Sequence, residues 1–294
     1  MEKVNKLRRT MLFCPANEPK LYQSAPAYNP DCIIFDLEDA ISYTEKDAAR
    51  DLLCEALKVI DFGNVEVFAR INPLYTEFGK IDVTQTVAAG LRNIRLPMCE
   101  SKKNVEELDA LLTEVEKVNG IEEGSVKIQC AIETPKGVFN AAEIASASKR
   151  VISISFGAED YTNSLGTERV KGHEQLAYAR GYVALVASLY GVDAIDTVWT
   201  DLDDHEGFEK ETRMAKSLGF KGKSCIHPAQ IKVVKEIYTP SEEEAEKARG
   251  IIEAAAEAEK NHKGVILFNG KMIDAPVINK ARRILELWEM ENRE

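Results

Sequence analysis

Apolar residues recur along the chain in short β-rich runs, separated by longer stretches where apolar positions return every three or four residues. The runs are TMLFCP (10–15), DCIIFDLE (31–38), VEVFARIN (65–72), NIRLP (93–97), VKIQCAIE (126–133), VISISFG (151–157), AIDTVWT (194–200) and KSCIHP (223–228). Runs that are apolar on both faces suit parallel strands covered by helices. The intervening stretches have the helical period: residues 45–60 are apolar at 48, 49, 52, 53, 56, 57 and 60, and residues 104–118 at 105, 108, 111, 112, 115 and 118. Gly63, Gly120 and Gly219 follow as helix terminators. Eight strands alternating with helices over roughly 230 residues predict a (β/α)8 TIM barrel rather than an open sheet.

After Pro228 the periodicity changes. A short helix is followed by the cap-like Thr239-Pro240-Ser241 and a long, charged, Ala-rich helix reaching about His262. GVILFNGKMID (264–274) reads as a hairpin turning at Asn269-Gly270, and APVINKARRILELWEM as a closing amphipathic helix. This divides the chain into a catalytic-sized barrel, residues 1–235, and a C-terminal helical extension, residues 236–294. The extension's apolar stripe needs a surface, either its own barrel or a neighbouring subunit.

Composition narrows the function. Lys and Arg total 38 against 49 Asp and Glu, and a net charge of −11 argues against non-specific nucleic-acid binding, which depends on cations neutralising phosphates. The six cysteines have no CxxC spacing, and four lie within or at the ends of apolar runs, so they read as buried reduced thiols. The basic N-terminus lacks an apolar leader core, and no apolar run approaches the length of a membrane span. A soluble cytoplasmic protein is expected. GxSxG, P-loop and GxGxxG patterns are absent, and His173, His205 and His262 show no zinc-ligand spacing.

In a β/α barrel the C-terminal ends of all strands meet at one mouth. Here those ends carry Asp36, Glu38 and Asp39, then Arg70 and Asn72, Pro97-Met98, Glu133, Gly157 to Asp160, Asp201 to Asp204, and His227. Glu133 and Asp160 each close an apolar run beside a Pro or Gly, and two such acids at one mouth make a hard-oxygen site of the Mg2+ type. Arg70, ending a buried run, is either the centre of a structural ion pair or a substrate contact. Asp39 or Ser42 has an alternative use as a helix cap, although three acids in four residues exceed what capping requires. The backbone N–H groups of Gly157 and Ala158 offer a place for a substrate carboxylate, with Glu159 facing away. His227 reads as a strand-end hydrogen-bonding residue.

Several blocks then become recognisable: RRTMLFCPAN (8–17), DCIIFDLEDAIS (31–42), VFARIN (67–72), IRLP (94–97), AIETPKGVFNA (131–141), FGAEDY (156–161), AIDTVWTDLDDHEGF (194–208), GFKGKSCIHPAQI (219–231) and NGKMIDAPVINKARRIL (269–285). Together they resemble, end to end, the citrate lyase β-subunit branch of the HpcH/HpaI aldolase superfamily. The resemblance implies a trimeric barrel, or a multiple of trimers, that cleaves a citryl thioester to oxaloacetate and an acetyl thioester. It implies Mg2+ on Glu133 and Asp160, Arg70 on the keto or alkoxide oxygen, and Glu38 and Asp39 beside the metal's water, with Asp36 in support. Arg9 would border the substrate, and Asp274 would be a catalytic acid contributed by a neighbouring subunit. Implied partners are CoA or an acyl carrier protein bearing the citryl group, and the alpha and acyl-carrier gamma subunits of a citrate lyase assembly. Two positions depart from the family pattern: Met98 replaces a lysine, and Ala16 a glycine. A malyl-CoA or citramalyl-CoA lyase and a non-catalytic barrel subunit are the alternative readings.

Overall fold

The computed structural model describes residues 6–170, 174–260 and 266–292; His173 and His262 lie outside the described residues. Eight strands, β1 (Thr10–Pro15), β2 (Cys32–Asp36), β3 (Glu66–Arg70), β4 (Asn93–Leu96), β5 (Lys127–Ile132), β6 (Val151–Phe156), β7 (Asp193–Asp196) and β8 (Gly222–Cys225), close into a parallel barrel in sequence order. Closure comes from β8 pairing with β1, Thr10 opposite Lys223. These are the strands the apolar runs predict, trimmed where a polar residue or proline leaves the ladder and turns across the mouth. The helices bury the predicted faces: Ala49, Leu53 and Ala56 on Lys46–Val59, and Val105, Leu108, Leu112 and Val115 on Lys102–Val118.

The barrel interior changes character along its axis. Met11, Cys32, Ile34, Phe68 and Ile195 form an apolar plug, with Phe13 packed against it. Nearer the strand ends, successive strands β2 to β6 place Asp36, Arg70, Arg95, Gln129 and Ser153 in register. A belt of polar side chains therefore lies between the apolar plug and the mouth.

A second charged group ties β7 and β8 to their helices. Asp196 and Lys223 are register partners and fully buried. Lys223 Nζ lies 2.8 Å from Asp196 and 2.7 Å from Glu211 of helix His205–Leu218, while Arg180 of helix Ala177–Tyr190 clasps Asp196 at 2.6 and 3.0 Å. Two cations thus neutralise two carboxylates away from water, which such a burial requires. The six cysteines are free and buried, as reduced thiols should be.

The described chain forms two compact units, Arg8–Val234 and a second that groups residues 6–7 with the stretch from Lys235 onward. The second contains helix Glu242–Lys260, an antiparallel pair β9 (Ile266–Phe268) and β10 (Lys271–Ile273), and helix Ala275–Glu291. Asn269 and Gly270 both have positive φ at the hairpin turn, the geometry an Asn-Gly pair favours. Ala248, Ile251, Ile273 and Ala281 form its core, with Ile252, Phe268, Ile278 and Leu285 packed around them. Among the described residues, no helix is long and apolar enough to cross a membrane.

Candidate active site

At the mouth of the barrel, Arg70 gathers three carboxylates. Its Nε and Nη2 meet the two oxygens of Asp36 at 2.7 and 2.6 Å, and its Nη1 lies 3.0 Å from Glu38 and 3.1 Å from Asp39. Asp36 is oriented in turn by the amides of Glu38 and Ala40 at 3.0 and 3.1 Å. The loop carrying these acids is pinned from below, where Asn72 Nδ2 donates to Leu37 O at 2.9 Å and Lys46 Nζ to Glu38 O at 2.9 Å. Neither Ser42 nor Asp39 caps the following helix, so the acids serve Arg70 rather than the helix terminus.

The electrostatics separate these acids. Burial works against the charge on Asp36, but the bonds from Arg70 outweigh it and hold the carboxyl below its usual range. For Glu38 burial wins: its carboxyl is pushed up to about 8, with Arg70 opposing and Asp39 and Glu133 adding to the rise. Arg70 is held above its usual value, burial notwithstanding, by Asp36 first and then Glu38 and Glu133.

Glu133 follows β5 and is 4 % exposed. Met98, in the left-handed region at φ 47°, turns its amide to donate to Glu133 Oε2 at 3.0 Å. Opposite stands Gly157, where any Cβ would overlap Glu133 Cγ and come 2.9 Å from Oε1. Only glycine leaves the carboxylate its place. Asp160 lies in the first turn of helix Ala158–Leu165, and its carboxyl is raised by burial and then by Glu133 and Asp39. Neighbouring carboxylates that oppose the charge on Asp160 make a site that a divalent cation relieves. Among the described residues no three His, Cys, Asp or Glu side chains form a metal cage. Two carboxylates with room for ligand oxygens suit Mg2+, which keeps several non-protein ligands.

Two sequence expectations change. The Gly157 amide donates to Ile132 O at 3.0 Å and the Ala158 amide to Thr197 Oγ1 at 3.0 Å, so both are committed to the barrel wall. The next first-turn amides, of Glu159 and Asp160, have no acceptor among the described residues. Arg9 stands before β1, at the end of the barrel opposite the mouth, and clamps Asp31 at 2.8 Å through both Nε and Nη2. It is not a mouth residue. Asp274 belongs to the C-terminal unit, where its side chain caps helix Ala275–Glu291 by accepting from Val277 N at 3.2 Å. At the remaining strand ends, Asp204 caps helix His205–Leu218, and His227 Nδ1 accepts from Ala229 N at 3.2 Å. Glu159 turns away to Arg169 at 2.7 Å. Beyond it lies a cavity of about 470 Å3 lined by Thr162, Arg169, Trp199 and Asp204, among others; Arg70, Glu133 and Asp160 do not line it.

One site-proximal residue escaped the strand-end reading. Arg95, inside β4 and 3 % exposed, donates to Gln129 Oε1 at 2.7 Å and lies 3.8 Å from Glu133. Its guanidinium and that of Arg70 share the Phe13 ring, at 5.1 and 5.3 Å from the centroid. The signal was present in NIRLP, where an arginine interrupts a buried run, but Pro97-Met98 marked the strand end instead.

Residues 9–228 match the HpcH/HpaI aldolase/citrate lyase family model. The chain is 45% identical to the citrate lyase subunit beta of Leuconostoc mesenteroides subsp. cremoris over 96% of its length and 93% of the relative's. A crystal structure of protein CitE from Mycobacterium tuberculosis, in complex with magnesium, acetoacetate and coenzyme A, superposes with a TM-score of 0.77. That match has 30% identity and covers 97% of this chain and 99% of the other. A citrate lyase beta subunit from the same organism, complexed with oxaloacetate and magnesium, gives a TM-score of 0.68 at 31% identity over 80% and 98% of the two chains.

Proposed function

Because the chain belongs to the HpcH/HpaI aldolase/citrate lyase family, we propose that it is a Mg2+-dependent carbon–carbon lyase of the citrate lyase beta type, cleaving a citryl thioester to oxaloacetate and an acetyl thioester. The observation that carries this reading is the meeting, at one barrel mouth, of the Arg70–Asp36–Glu38–Asp39 cluster with Glu133 and Asp160.

Cleavage breaks the bond between the hydroxyl-bearing carbon of the citryl group and the CH2 next to the thioester. The hydroxyl loses its proton and its carbon becomes the ketone of oxaloacetate. The electron pair of the broken bond leaves as an acetyl-thioester enolate, which takes up a proton at carbon. Arg70 stabilises the negative charge that develops on the hydroxyl oxygen as its proton leaves. Its hydrogen bonds to Asp36 and Asp39 use three of the five N–H groups of a guanidinium, Glu38 pairs with Nη1 at 3.0 Å, and one N–H remains on Nη2. Glu38 takes the hydroxyl proton in its ionised form, a carboxylate that burial among other acids makes more basic than usual. The amides of Glu159 and Asp160 hold the keto-acid carboxylate at the helix N-terminus, in place of those of Gly157 and Ala158. Glu133 and Asp160 would hold Mg2+, which when bound would supply Lewis-acid polarisation of the substrate. Asp274 of a neighbouring subunit delivers the proton to the enolate. The assembly is a trimer or multiple of trimers, and the citryl group arrives on CoA or on an acyl carrier protein, with alpha and gamma subunits completing the complex.

Glu133→Ala and Asp160→Ala are expected to abolish Mg2+-dependent cleavage of citryl-CoA in a spectrophotometric assay of oxaloacetate. Full activity in either variant removes the metal assignment.

A further inference from the structure

Arg95 differs from other buried arginines of the barrel in what its carboxylate-binding edge meets. Arg9, Arg70 and Arg180 each direct Nε and Nη2 onto the two oxygens of one aspartate, respectively Asp31, Asp36 and Asp196, at 2.6 to 3.0 Å. That side-on fork is the geometry in which guanidinium and carboxylate match best. Arg95 uses Nη1 on the neutral amide of Gln129. Among the described residues its buried Nε has no hydrogen-bond partner, and Nη2 approaches a carboxylate no closer than 3.8 Å, at Glu133 Oε1.

A guanidinium removed from water without a bonded anion is costly. Burial, with Arg70 adding to it and Glu133 opposing, lowers the Arg95 pKa to about 10. The position of the fork is also specific. It faces the side of Glu133 that Met98 leaves free, since Met98 holds Oε2 and Nη2 of Arg95 lies nearest Oε1. Contact with the Phe13 ring and the bond to Gln129 hold it there.

Members of this substrate class share the thioester arm, the hydroxyl and one carboxylate. They differ in one substituent on the hydroxyl-bearing carbon: CH2COO− in the citryl group, methyl in citramalyl and hydrogen in malyl. Resting on the lyase reading above, we propose that Arg95 is a specificity-determining residue whose Nε/Nη2 edge receives the extra carboxylate of the citryl group, and hence of oxaloacetate. Arg70, satisfied by Asp36, Glu38 and Asp39, handles the reacting oxygen, and Arg95 reads the substituent.

The test is calorimetric binding of oxaloacetate and of pyruvate to the full-length protein in Mg2+ buffer, for wild type, Arg95→Met and Arg95→Lys. It is run alongside the ratio of kcat/KM for citryl-CoA over citramalyl-CoA. Wild type is expected to prefer oxaloacetate by about 30-fold, the scale of charge-assisted hydrogen bonds. Arg95→Met brings that preference to within about 3-fold, and Arg95→Lys, with the charge but not the fork, falls between. The kcat/KM ratio falls in parallel. An unchanged preference in Arg95→Met overturns the proposal. So does a parallel loss of both keto acids, which assigns Arg95 to holding Glu133 instead. A wild type that binds the two equally overturns it without any variant having to fold. Failure of the lyase reading shows separately, as a wild type that cleaves no citryl-CoA whatever its keto-acid preference.

Discussion

Glu133 is placed by two neighbours: Met98 donates its amide and Gly157 makes room, while the Arg95 charge stands 3.8 Å away. Glu38 has the opposite environment, buried among other acids with Arg70 as its counter-charge. Its raised pKa has a consequence for stability. Between its ordinary 4.5 and about 8, the folded protein keeps a proton on Glu38 that the unfolded chain has lost. Stability then falls as pH rises through that window, by up to about 1.4 kcal/mol per pH unit for one proton. The metal-free protein is expected to lose thermal stability from pH 5 to 8. Glu38→Gln, which cannot ionise, is expected to flatten the slope. A variant with the wild-type slope would place the titration elsewhere.

At the scale of elements, the corner between β6 and helix Ala158–Leu165 carries the site. Its glycine lets the helix start against Glu133, and its first turn presents Asp160 and two amides. Gly157→Ala is predicted to weaken Mg2+ binding by about 10- to 100-fold, as disturbing a ligand's support does, with the far-UV spectrum unchanged. Wild-type Mg2+ affinity in that variant would contradict the packing argument. The strands themselves were legible because burial on both faces writes a continuous apolar run. Arg70 stood out because it ended one. Arg95 did not, since it sits within a four-residue strand whose following proline draws attention to the end. Nor does sequence reveal which amides at the β6 corner are taken, because Ile132 ends β5 and Thr197 follows β7. Arg9 went to the wrong end of the barrel: a residue preceding β1 enters from the side opposite the mouth.

At the scale of the whole molecule, the barrel holds Glu133, Asp160 and Arg70, while Asp274 lies on a separate compact unit. Asp274→Asn keeps a good helix cap, so the expected result is a folded protein with reduced turnover. If the acid acts across subunits, mixing Asp274→Asn with Glu133→Ala chains and allowing exchange restores part of the activity, because some mouths then combine intact parts. Unchanged turnover in Asp274→Asn removes the residue from the mechanism, and mixed oligomers as inactive as their parents confine its action to one chain.

The central claim is that this mouth cleaves a citryl thioester with Mg2+. It is tested most directly by offering the purified full-length protein citryl-CoA, malyl-CoA and citramalyl-CoA, each with Mg2+ and with the metal chelated, and following the keto acid released. Oxaloacetate is expected from citryl-CoA at the highest kcat/KM of the three, abolished by chelation. Measurable Mg2+ binding with no cleavage of any thioester, or cleavage indifferent to chelation, would contradict it.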